Sequence, residues 1–193
     1  MKSHISILIT GCITLTSCAL FSPYTTVQDE FKNTKSSTLE LTEYPTELQS
    51  NVTKANLTFE RLTTGTDETI NVYFVIARTS SSFNLDKKCF IKSDGKNYEI
   101  TIENQGTEYK STQESSSTST TVKDSTKVKT ELISKTNSYN WFDEKFVIKL
   151  TTEIKTSLLK TDELIFRFYL GPKQATFKLK GYTLKRVKRL FDI

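Results

Sequence analysis

Four carboxylates stand in two adjacent pairs, Asp143–Glu144 and Asp162–Glu163. Two carboxyl groups held roughly 5–9.5 Å apart across a cleft can hydrolyse a glycosidic bond, one as acid and the other as base or nucleophile. Each pair here precedes an alternating apolar run, where turn acids are common, so the spacing favours a structural role and leaves a carboxylate hydrolase as the enzymatic alternative. Cys89 lies in Asn84-Leu85-Asp86-Lys87-Lys88-Cys89-Phe90-Ile91. Lys87 and Lys88 would activate a thiol that faced them, but the strand-like setting reads Cys89 as a small buried hydrophobe. Asp94 lacks the D-x-D-x-D-G spacing of a calcium loop and reads as a turn residue. Tyr139, Trp141 and Phe142 close a polar segment. Exposed, they would form a carbohydrate or protein contact; buried, they would cap the core, which is the reading favoured.

Basic residues crowd the C-terminal end. Lys173, Lys178, Lys180, Lys185, Arg186, Lys188 and Arg189 occur with no acid between the first and the last. Such a patch, with Lys178, Lys180, Lys185, Arg186, Lys188 and Arg189 as its candidate members, suits an anionic partner: lipid headgroups, phosphates or sulfated glycans. The plainer reading is a solvated strand face followed by a helix end whose cations complement the dipole.

The chain's single histidine is His4. If the first 17 residues are removed, no histidine remains, which excludes Ser-His-Asp and Cys-His catalysis and His-ligated metals. Six glycines in the whole chain disfavour glycine-built nucleotide loops, and neither G-x-x-x-x-G-K-[ST] nor G-x-G-x-x-G occurs. A non-enzymatic protein without cofactor or metal is expected.

That removal is what the N-terminus predicts. Lys2 precedes an apolar run containing Ile5, Ile7, Leu8, Ile9, Ile13 and Leu15, too short to span a bilayer comfortably. Leu15-Thr16-Ser17-Cys18 follows. This segment resembles the lipobox of bacterial lipoproteins. The resemblance implies cleavage between Ser17 and Cys18, and acylation of the Cys18 sulfur and amine. It also implies a lipid-anchored place in the bacterial envelope. Position 19 is Ala, where Asp in the enterobacterial version retains the protein at the inner membrane, so the resemblance points to the outer membrane, facing either the periplasm or the exterior. Nucleic acid is not expected as a partner in that compartment. Asn51-Val52-Thr53 and Asn56-Leu57-Thr58 match glycosylation acceptors, a match that a bacterial lipoprotein would leave idle.

Of the 193 residues, loss of the first 17 leaves 176, with 26 basic residues against 22 acidic. That length suits one domain with a substantial core. Cys12 leaves with the signal and Cys18 takes lipid, so Cys89 has no disulfide partner. Residues 18–36 are polar and read as a lipidated N-terminus and tether, reaching roughly 60 Å if extended, or docking on the domain through Phe21, Tyr24 and Phe31. The domain proper is expected over residues 37–193.

Period-two alternation dominates that domain. Leu39 and Leu41 open it, failing at Glu43. Leu57 and Phe59 continue, then Ile70, Val72, Phe74 and Ile76, whose intervening residues are also largely apolar, so this strand is predicted central and buried on both faces. Phe83, Leu85 and Ile91 lead to Asp94-Gly95, a hairpin signal, and to Tyr98, Ile100 and Ile102. Phe146, Ile148 and Leu150 alternate, as do Leu164, Phe166, Phe168 and Leu170 before the Gly171-Pro172 break. Phe177 and Leu179 belong to a last strand that extends toward Tyr182 and Leu184 unless the three-residue spacing of Leu184, Val187 and Leu190 makes a helical turn. The Ser/Thr/Lys-rich stretch around 106–138 is expected as a loop or, preferably, a protruding hairpin. The echo between Phe74-Val75-Ile76…Phe83-x-Leu85 and Phe168-Tyr169-Leu170…Phe177-x-Leu179 reads as two similar amphipathic strands rather than a duplication.

The expected fold is therefore all-β: an antiparallel β-sandwich of about seven to ten strands with a short C-terminal helical turn. The expected function is a membrane-anchored envelope lipoprotein presenting a non-catalytic binding or structural module to an envelope protein, a glycan or a host ligand. The alternatives are an envelope hydrolase and a β-barrel carrier of an apolar ligand.

Overall fold

The computed structural model describes residues 24–47, 51–79, 83–124 and 127–192, with the backbone alone for 119–124 and 127–133. Ten strands and two helices follow one another in it: β1 (Tyr24–Asp29), β2 (Thr34–Glu43), β3 (Val52–Thr64), β4 (Asp67–Arg78), β5 (Leu85–Ser93), β6 (Lys96–Thr101), β7 (Glu103–Asp124), β8 (Lys127–Leu150), α1 (Thr152–Lys160), β9 (Glu163–Leu170), β10 (Lys173–Lys180) and α2 (Gly181–Asp192). The strands form a six-stranded sheet, β1-β2-β3-β4-β8-β7, and a four-stranded sheet, β10-β9-β5-β6. All pairings are antiparallel. The protein is an all-β sandwich, curled into a half-barrel.

Alternation decides which face each strand buries. Leu57 and Phe59 of β3, Val72, Phe74 and Ile76 of β4, Phe146 and Ile148 of β8, and Leu164, Phe166 and Phe168 of β9 are all inside. Their rings meet between the sheets: Phe74 stacks on Phe146 at 5.0 Å and lies edge-on to Phe166 at 5.3 Å and Phe168 at 5.0 Å. Each such side chain contributes about 1.5–3 kcal/mol by leaving water. Aromatic packing thus occupies the interior where a carrier would keep its ligand. β4 is central, as expected, but Asn71, Tyr73 and Val75 are only half-buried. An antiparallel sheet covers one face with core and leaves the other to solvent.

The chain crosses between sheets three times. After β4 it enters β5. It returns at Ile102, whose N–H donates to the Lys87 carbonyl at 2.8 Å. It leaves again through α1, an element the alternation did not foretell. Thr151 caps α1 by accepting from the Ile154 N–H at 3.3 Å, and Ile154 and Leu158, four apart, face inward; that spacing was the available signal.

Turn chemistry follows sequence closely at two points. Asp94 (φ 48°) and Gly95 (φ 73°) join β5 to β6, both with the positive φ of a two-residue hairpin loop. Gly171 (φ 61°) joins β9 to β10, and a Cβ there would lie 2.5 Å from the Phe83 ring, so both backbone and space demand glycine. The Phe168–Leu170 and Phe177–Leu179 segments form this hairpin within one sheet, whereas β4 and β5 lie in different sheets. The repeated pattern therefore has no common topology.

One expectation is corrected, and at the C-terminal end the helical reading holds over the strand. Residues 24–36 are not a free tether: Tyr24–Asp29 pairs with Thr34–Leu39 as the edge hairpin. Its polar composition reflects an edge strand facing solvent, and Asp29 closes the turn by accepting from the Phe31 and Lys32 N–H groups at 3.0 and 3.2 Å. The last strand does not run on to Leu184. It stops at Lys180, and α2 begins at Gly181. Leu184, Val187, Leu190 and Phe191 then fill the open side of the half-barrel, with the Phe191 ring edge-on to Phe59 at 6.3 Å.

Candidate functional site

β4 ends its pairing with β8 at Arg78↔Phe142, while β7 and β8 continue together to Asp124↔Lys127. The two leave the sandwich as a ribbon of roughly 50 Å at about 3.3 Å per residue. Its root is built from residues of both parities. Arg78 continues the inward series of Ile70, Val72, Phe74 and Ile76 and is buried with Glu144, Nη2 to Oε2 2.5 Å. Thr107 Oγ1 donates to Glu144 Oε1 at 3.0 Å, and Arg78 Nη1 donates to the Phe83 carbonyl. These bonds tie β4, β7, β8 and the segment before β5 together. Arg78 was not singled out from sequence, although its parity places it inside.

On the opposite face of β8, Tyr139 and Trp141 line a groove of about 460 Å³ with Thr53, Lys54, Ala77, Thr79, Ser138 and Asn140. Trp141 Nε1 donates to Asp143 Oδ1 at 3.0 Å, which fixes the indole. Trp141 and Phe142 are half-buried, and Tyr139 is 49% exposed. The aromatic cluster is therefore not the core cap that was expected. It lies where β8 outruns β4, so no neighbouring strand covers it. Phe142, on the inward parity, instead meets Tyr109 at 5.4 Å. Beside the groove, Glu108 takes charged hydrogen bonds from Lys145 (2.6 Å) and Lys110 (3.2 Å). Those bonds hold its carboxyl below the ordinary range.

The four nominated acids do not share a cleft. Asp143 and Glu144 belong to the middle of the 24-residue β8 rather than to a strand start, and point to opposite faces. Glu163 opens β9 in the other sheet and pairs with Lys178 at 3.0 Å. Asp162 lies in the link before it. Cys89 is fully buried, and burial pushes its thiol up to about 12. Asn56 bonds Thr42 at 3.0 Å across β2 and β3. Asn51 accepts from Lys173 Nζ at 2.8 Å. Among the described residues no group of three His, Cys, Asp or Glu side chains could hold a metal, and no helix is long and apolar enough to cross a membrane.

The basic candidates separate. Lys178 is engaged by Glu163, whereas Lys180, Lys185 and Arg189 are exposed and Arg186 and Lys188 half-buried around α2. Arg186 lies 6.0 Å from the Tyr182 ring, which is 73% exposed. Tyr24, at the start of β1, donates its hydroxyl to the Arg186 carbonyl at 2.9 Å, across 162 residues of sequence. Burial raises the Tyr24 phenol, opposed by the charges of Arg189 and Arg186. Ser17 and Cys18 lie outside the described residues.

No protein-family model, curated protein or solved structure matches the chain.

Proposed function

We propose that this chain is a lipid-anchored protein of the bacterial envelope whose sandwich serves as a non-catalytic binding or structural module. The observation that carries the reading is Leu15-Thr16-Ser17-Cys18 at the end of a short apolar run. The fold supports the second half. The candidate acids Asp143, Glu144 and Glu163 each bond a neighbouring side chain, and the ribbon with the Tyr139–Trp141 groove at its root offers a contact surface held by a rigid base.

Intact mass of the protein from native membranes tests the anchor, together with Cys18→Ser and protease treatment of whole cells. Cleavage before Cys18 plus acyl mass is expected, and Cys18→Ser should release the protein from membranes. An unmodified Cys18 overturns the reading. Sensitivity to protease in intact cells would assign the module an external ligand, and protection would assign it a periplasmic one.

A further inference from the structure

We infer that the outer face of α2, with Tyr182, Lys185, Arg186 and Arg189, is a docking surface for the anionic phospholipid headgroups of the membrane that holds the chain. The inference rests on the lipid anchor proposed above.

Two independent features of the fold converge on this face. The first is where the chain emerges. Tyr24 is bonded to the backbone of α2 at 2.9 Å, and only five residues, or six Cα–Cα steps, separate it from Cys18. Six extended steps reach about 20 Å. Acyl chains on Cys18 thus bring the membrane within that distance of α2, not within the roughly 60 Å that a free 18-residue tether would allow.

The second is the chemistry of the face. Leu184, Val187, Leu190 and Phe191 turn inward, which leaves Tyr182, Lys185 and Arg189 exposed on one stripe of the helix. No carboxylate of the described residues forms an ion pair with Lys180, Lys185, Lys188 or Arg189. Clustered Lys and Arg beside an anchor are drawn to anionic headgroups over about one Debye length. Tyrosine belongs at the headgroup level, with its ring toward the acyl boundary and its hydroxyl in water. The acyl chains supply attachment, and the basic face supplies orientation. α2 packs at the β1–β2 edge and against β10, while the ribbon leaves from the far edge of the six-stranded sheet. Docking of α2 would therefore hold the ribbon away from the bilayer contact.

The test uses the mature chain from residue 18 onward with Cys18→Ser, so that no lipid masks the surface. It is floated with vesicles of phosphatidylcholine alone and of phosphatidylcholine mixed with phosphatidylglycerol. Flotation with the mixed vesicles only, reversed by high salt, is expected. Lys185→Glu with Arg189→Glu should weaken it at least about tenfold with an unchanged thermal melt. Lys87→Glu with Lys149→Glu, an equal change of net charge on β5 and β8, should leave most of the binding. Absence of flotation with the mixed vesicles overturns the inference, as does an equal loss in both double variants. An acylated Cys18 without vesicle binding removes the surface and keeps the anchor. Vesicle binding with an unmodified Cys18 removes the anchor and keeps the headgroup surface.

Discussion

Arg78 and Glu144 are each only 4% exposed and hold the root of the ribbon to the sandwich. A buried pair of this kind is weak evidence of net stabilisation, but removing one partner strands the other charge. Glu144→Ala is expected to cost about 3–5 kcal/mol, read by urea denaturation. Arg78 and Glu144 also show what parity alone conveys: both occupy inward positions in strands whose other inward residues are apolar. Cys89 gives a second prediction. With its thiol pushed up to about 12 by burial, it should resist an aromatic disulfide reagent in the native protein and react on unfolding. Glu60 gives a third. Burial works to raise its carboxyl, but hydrogen bonds from Asn71 (3.1 Å), Ser36 (2.9 Å) and Tyr73 (2.9 Å) outweigh it and leave it below the ordinary 4.5. A depressed folded-state value stabilises the protein above the unfolded value, and that contribution is lost as pH falls through the folded one. Stability should therefore decline below about pH 4.5, with a shallower decline in Glu60→Gln, measured by denaturation across that range.

Among the elements, β7 and β8 are unusual in outrunning every neighbour. From Lys110↔Trp141 to Asp124↔Lys127 they pair only with each other. Replacing residues 114–137 by a two-residue Asn-Gly turn should keep a cooperative melt, because no core strand pairs with that part of the ribbon. Loss of cooperativity in thermal denaturation would show that the ribbon supports the sheet. The hairpin was legible in sequence from its Thr-rich, Pro-free composition. The exposure of Tyr139 and Trp141 was not, because it depends on where β4 stops. Helix α2 was legible from the spacing of Leu184, Val187 and Leu190, and α1 only from Ile154 and Leu158. The edge hairpin β1–β2 was hidden because an edge strand facing solvent has nearly the composition of a linker.

At the scale of the molecule, α2 closes a sandwich whose two sheets do not close on themselves. It covers the gap between β2 and β10, and Phe191 and Leu190 sit on the core that includes Phe59. Ending the chain after Lys180 exposes that core along one side. Such a chain is expected to lose its cooperative transition and to bind a hydrophobic dye, whereas Lys185→Glu with Arg189→Glu, which alters only the outer face, should melt like the parent.

The amino-acid sequence by itself determined the fold class, the inward face of most strands and the tight turn at Asp94-Gly95. These follow from period-two burial and local backbone preference, both of which act between near neighbours in the chain. It also carried Leu15-Thr16-Ser17-Cys18 behind a short apolar run, on which the proposed anchor rests, and the absence of histidine beyond His4. Tertiary structure alone decided that Glu144 meets Arg78, that Asp143 and Glu163 are held in different sheets, and that Trp141 lines an open groove. It also decided that Tyr24–Asp29 pairs as a strand and that Tyr24 meets α2. Each of these depends on which strands are neighbours and where one outruns the next. That order is set by packing two sheets and a helix around one phenylalanine core, a constraint that no local stretch of sequence displays.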